Sequence, residues 1–184
     1  MKKLFLLIIF LIANYGNSQI ISEELVKKHL YTLSDDDMEG RRAGTKGIEK
    51  AAKYIESEFK RIGLEKFEGL DSYRQNFKER GLSLFNIIGC IKGEEKKDEF
   101  VIISAHYDHL GSKDNLEGDK IFNGANDNAS GVTAVLALAE FFSKNKINNR
   151  TILFVAFTAE EMGLLGSRYF GKQVSPEEII AGIN

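Results

Sequence analysis

Two short apolar runs, Phe100-Val101-Ile102-Ile103 and Thr151 to Phe157, constrain this chain more than any other feature. A strand that is apolar at every position has no solvent face, so it belongs inside a sheet covered on both sides. Between the runs, Val132 to Phe142 is apolar nearly all round and is led by Asn128-Ala129-Ser130, which fits a buried crossover helix. Strand, helix and strand at this spacing form a βαβ unit with parallel strands. Ligands of such open sheets bind where the carboxyl ends of the strands emerge.

The flanking segments extend the same class. Phe85 to Ile91 reads as a neighbouring strand, joined to Phe100 by the charged turn Glu94 to Glu99. Ile48, Ala51, Ala52, Ile55, Phe59 and Ile62 recur three and four apart and Gly63 follows, an amphipathic helix with a glycine stop. An earlier helix covers Glu23 to Leu33, with Leu25, His29 and Leu33 on one face, so His29 is a helix-face residue. Asp35-Asp36-Asp37 could be an acidic metal loop, but after a helix it is better explained by capping and solvation. With 184 residues, 43% apolar and 28% charged, the chain is bounded to about one packed domain, and a disordered or disulfide-stapled chain is excluded.

Lys and Arg number 25 against 27 Asp and Glu, a formal charge of −2 with no basic stripe, which argues against a nucleic-acid partner. Lys2-Lys3 followed by the apolar run Leu4 to Ala13 and the small residues Gly16 and Ser18 reads as a signal peptide over residues 1–18, with Gln19 as the mature start. Those 10 apolar residues fall short of the ~20 that a spanning helix needs, so no membrane association is expected after cleavage. The expected location is secreted or periplasmic. Cys90 has no partner in the chain and is expected to be a buried thiol.

The polar residues then fall on one sheet edge. His106, Asp108 and His109 follow the first buried strand, Asp127 stands where the crossover helix begins, and Glu160 and Glu161 follow the second strand. Each has a bland explanation alone: a strand-end histidine, a helix cap, solvated loop carboxylates. Converging from three separate segments, they suit zinc, and a bridging carboxylate lets one aspartate serve two ions. A carboxylate beside a ligand but not itself ligating can act as general base. The His-Xaa-His-Xaa-Asp-His pattern of metallo-β-lactamase hydrolases is not met, because Ser104 stands at its first histidine.

Three blocks carry a family resemblance: Ser104-Ala105-His106-Tyr107-Asp108-His109-Leu110-Gly111, Gly124-Ala125-Asn126-Asp127-Asn128-Ala129-Ser130-Gly131-Val132, and Phe157-Thr158-Ala159-Glu160-Glu161-Met162-Gly163-Leu164-Leu165-Gly166-Ser167. They resemble, in order, the signature blocks of the M28 zinc metallopeptidases, the co-catalytic two-zinc aminopeptidases and their relatives. The leader Asp37-Met38-Glu39-Gly40-Arg41 is similar to the N-terminal part of that family, so the resemblance spans residues 22 to 184.

The resemblance implies an α/β fold, a three-layer sandwich with a central mixed, largely parallel sheet and helices on both faces. It implies that His106 ligates one zinc, Asp127 bridges two and Glu161 ligates the other. Glu160 would be the general base, Asp108 would orient His106 through its other ring nitrogen, and a cis peptide would join Asp127 to Asn128. His109 has no ligand role in the family. Peptide or protein substrates follow. The family pattern has two further ligands beyond the third block, an aspartate after a strand of the type begun by Ala181-Gly182-Ile183-Asn184 and a late histidine, and this sequence contains neither. Residues 19–184 are therefore expected to be the N-terminal portion of a single peptidase catalytic domain. Two other readings stay open: a catalytically inactive remnant acting as a binding protein, and a one-zinc glutaminyl cyclase-like relative.

Overall fold

A computed structural model describes residues 21–184; the signal-peptide reading of residues 1–18 lies outside them. Helix α1 (Glu23–Leu33) is started by Ser22, whose hydroxyl accepts the Leu25 N–H at 3.3 Å, with Glu23 and Glu24 in the first turn where the helix dipole favours them. A 3-10 turn (Asp36–Arg41) follows, and the Asp35 carboxylate accepts the Asp37 N–H at 2.8 Å, so the acidic run is turn chemistry. Helix α2 (Lys46–Ile62) stops at Gly63, which is left-handed at φ 83° as a glycine stop requires.

Six strands come next in chain order: β1 (Glu65–Lys66), β2 (Arg74–Glu79), β3 (Leu82–Ile91), β4 (Lys96–His106), β5 (Gly111–Ser112) and β6 (Ile121–Phe122). A wide π-type turn (Ala125–Ala129) leads into α3 (Ser130–Asn145), followed by β7 (Arg150–Phe157), α4 (Leu165–Phe170), a 3-10 turn (Pro176–Glu178) and β8 (Ile179–Ile183).

The main sheet runs β1-β3-β7-β4-β8, with β2 also paired to β3. β4 is parallel to both β7 and β8, whereas β3 is antiparallel to β1, β2 and β7, which makes the sheet mixed as expected. β4, α3 and β7 are the expected βαβ unit. Successive strand residues face opposite sides, and both sides of β7 are covered. Ile152, Phe154 and Ala156 pack with Ile55 and Phe59 of α2 and Val132 and Leu136 of α3. Leu153 and Val155 pack on the other face with Ile88, Cys90 and Phe170 of α4. That two-sided burial is why the run Thr151 to Phe157 carries no polar alternation. β2 escaped the sequence reading because it is an edge strand in which only Gln75 and Phe77 turn inward among charged neighbours. Cys90 is buried as expected, and burial pushes its thiol up to about 11, the wrong direction for a nucleophile. Among the described residues no helix is long and apolar enough to cross a membrane.

Candidate metal centre

His106 is the last residue of β4, opposite Phe157 at the end of β7. The parallel register therefore places Glu160 and Glu161 only a few residues beyond the imidazole. The ladder continues one step further, where the Tyr107 N–H donates to the Phe157 carbonyl at 2.9 Å. The loop Thr158–Gly166 then folds back on itself. Gly163 and Leu164 donate to the Glu160 carbonyl at 2.8 and 3.0 Å, and Gly166 donates to that of Thr158 at 3.0 Å. Asn86, buried on β3, anchors this loop: its side-chain oxygen accepts the Thr158 N–H at 3.1 Å and its amide donates to the Gly166 carbonyl at 2.9 Å.

Asp127 comes from the turn ahead of α3 and makes no helix cap; the Asp127–Asn128 peptide is cis, as the resemblance implied. Its two oxygens look to different sides. Oδ1 lies 3.1 Å from His106 Nε2, while Oδ2 lies 3.9 Å from His109 Nδ1. Two donors on one zinc, each about 2.1 Å from it, stand roughly 3.4 Å apart in a tetrahedron. The His106–Asp127 pair is already near that spacing. On the other side His109, Asp127 and Glu161 each offer a ligand atom, and these atoms lie within 4.8 Å of one another. Imidazole and carboxylate donors suit zinc, so the residues fit the metal that the sequence suggested.

His109 also hydrogen-bonds to Glu161, with Nδ1 donating to Oε1 at 2.9 Å. The sequence places this histidine on the same edge but the resemblance gives it no ligand role, and its only signal there is its place in the His106 block. Two more residues escaped it. Asn86 was legible only as a single amide inside an apolar strand. Arg41 is fully buried, and burial pulls its guanidinium down to about 10 while Asp108 and Asp127 pull the other way.

Asp108 departs from its expected contact. His106 Nδ1 faces the backbone carbonyl of Asp108 at 3.1 Å and stands 3.8 Å from the carboxylate. The carboxylate is taken up elsewhere, Oδ1 by the Glu160 N–H at 3.0 Å and Oδ2 by the Glu161 N–H at 3.3 Å. The imidazole is thus fixed by main chain, and the carboxylate fixes the loop of the two glutamates. Burial pushes the Asp108 carboxyl up to about 6, against the pull of those N–H groups and of His106.

Beside these groups lies a cleft of about 410 Å³ lined by His106, Asn128, Phe157, Glu160, Leu164 and Ser167, among others. Glu160 thus borders the same open space as His106.

The profile described as "Peptidase family M28" matches residues 86–184. Aminopeptidase YwaD of Bacillus subtilis is 37% identical over 95 residues, 51% of this chain and 19% of that protein. Among solved structures, a Zn-dependent exopeptidase from Parabacteroides distasonis superposes with a TM-score of 0.68 at 21% identity, covering 90% of this chain and 61% of that one. A glutaminyl cyclase from Fimbriiglobus ruber gives 0.68 at 24% identity, covering 85% and 56%. The chain spans about a fifth of the length of the curated relatives it matches.

Proposed function

We propose, from the premise that this chain belongs to peptidase family M28, that it forms the metal-binding core of a zinc-dependent exopeptidase that removes N-terminal residues from peptides and is exported from the cell. The observation that carries this reading is the placement of Asp127, whose two oxygens face His106 on one side and His109 with Glu161 on the other. One carboxylate so placed would serve two ions. His106 and Asp127 would hold one, and Asp127 and Glu161 the other.

Zinc held there would supply Lewis acidity, which can bring the pKa of a water down to about 7. The remaining steps belong to side chains. Glu160 takes no part in the His109–Asp127–Glu161 group and lines the cleft, so its carboxylate is free to accept a proton from the attacking water. It then returns that proton to the leaving amine. Asp108 holds the Glu160 and Glu161 main chain in place, and the His106 ring is fixed through Nδ1, leaving Nε2 for the metal side.

The test is hydrolysis by the protein purified as its own cell produces it, with and without added zinc, of a free-amine peptide and the same peptide with its amine blocked. Zinc-dependent cleavage of the free-amine form alone is the expected result, with two zinc ions per chain by elemental analysis. One ion per chain would favour the one-zinc reading, for which the His109–Asp127–Glu161 group offers a self-contained site. No zinc and no cleavage would overturn the peptidase reading in favour of a binding protein.

A further inference from the structure

Arg41 is the one fully buried arginine among the described residues, and every hydrogen bond its guanidinium makes goes to a backbone carbonyl. Nε donates to Tyr107 at 2.9 Å, Nη1 to Leu33 and to Asn123 (2.6 Å), and Nη2 to Gly124 at 2.9 Å. Its own carbonyl accepts the His109 N–H at 3.2 Å. Tyr107 is next to His106, and Gly124 opens the turn that presents Asp127. The approach is close: a Cβ on Gly124, which sits at φ +59°, would lie 2.7 Å from Arg41 Nη2.

A guanidinium is planar with five donors in a fixed fork, whereas an ammonium is a compact point charge. Among the described residues no carboxylate is hydrogen-bonded to this fork. Its compensating charge is Asp108 and Asp127 acting at longer range. One rigid group therefore ties together the main chain of the two segments whose side chains meet at 3.1 Å in the His106–Asp127 pair.

We propose that Arg41 is a positioning residue of the metal centre, setting the distance between the His106 segment and the Asp127 turn so that the two share an ion. The proposal rests on the zinc reading above and adds a residue that touches neither metal nor substrate. A purely structural arginine would hold the fold together without affecting how well that fold takes up metal.

The experiment measures zinc affinity by chelator competition, the visible spectrum of the cobalt(II)-substituted protein, and the melting temperature of the metal-free protein, all on the full chain. Arg41→Lys keeps the charge and loses the fork. It is expected to weaken zinc binding by about tenfold or more, the usual cost of losing an outer support of a metal ligand, and to change the cobalt spectrum. Ile55→Ala, a core change in α2 that touches none of the Arg41 contacts, should lower the melting temperature with zinc affinity unchanged. Arg41→Gln keeps a planar amide donor but loses the fork, and should weaken zinc in the same way if Arg41→Lys does not fold. Wild-type affinity and spectrum in whichever of these two variants folds would overturn the proposal. Failure of the wild-type chain to take up zinc would instead overturn the metal reading, and the proposal with it.

Discussion

Asp108 grips Glu160 from behind: its Oδ1 accepts the Glu160 backbone N–H at 3.0 Å, while its Oδ2 takes the next N–H, that of Glu161, at 3.3 Å. Both oxygens are spent on the loop, so Asp108→Asn turns an NH2 group toward one of two donors. A buried donor without a partner costs about 1 to 3 kcal/mol. Turnover should fall roughly 10- to 100-fold, as for other outer supports of a metal site. Loss of zinc from the His106 side with the glutamate side intact, read by cobalt spectroscopy, would return Asp108 to the role of orienting the imidazole.

If Asp127 bridges two ions, as its oxygens facing His106 and His109 suggest, Asp127→Asn should release metal from both sides of the site. Elemental analysis after gel filtration checks this. Wild-type zinc content in the variant would contradict a bridging role.

His109 separates two kinds of support. Its Nδ1 donates to Glu161 at 2.9 Å, and an asparagine can offer an N–H in a similar place but is a poor zinc ligand. His109→Ala is expected to weaken zinc binding by about tenfold, and His109→Asn to restore most of it. Equal loss in both variants would make the ring nitrogen a ligand in its own right.

The α1 face holds a pH-dependent element. His29 is fully buried, shares one ring nitrogen with the Tyr54 hydroxyl at 2.7 Å, and among the described residues has no partner for Nε2. Burial holds its pKa below the usual 6.5, aided by Lys28 and Arg61 and opposed by Glu58 and Glu140. As pH falls through about 6.5 the unfolded chain takes up the proton before the folded one does, so stability declines. Above that range His29 is neutral in both states and contributes no slope. Urea unfolding of the metal-free protein at about pH 7 and about pH 5 should show a larger loss for the wild type than for His29→Leu. Parallel losses would contradict this.

How far the sequence could be read follows from what each residue depends on. β7 was legible because both its faces are buried, which leaves an unbroken apolar run, and α2 because its apolar positions and Gly63 are local signals. His106, Asp127, Glu160 and Glu161 were legible because parallel strands deliver their ends to one edge. Arg41, Asn86 and the Asp108 carboxylate contacts were not, because, apart from the nearby Arg41–Leu33 bond, they run to main-chain groups 52 to 83 residues away in sequence, and pairing of that kind leaves no periodicity. β2 was missed for a related reason, as its neighbours in the sheet determine which of its residues turn inward.

The most direct measurement takes zinc content and turnover from the same sample of Glu160→Gln. If Glu160 is the base and Asp127 and Glu161 are ligands, the variant should hold wild-type zinc and lose at least ~100-fold of its rate, the scale of general-base loss. A rate near wild type, or zinc lost together with the glutamate, would contradict that assignment.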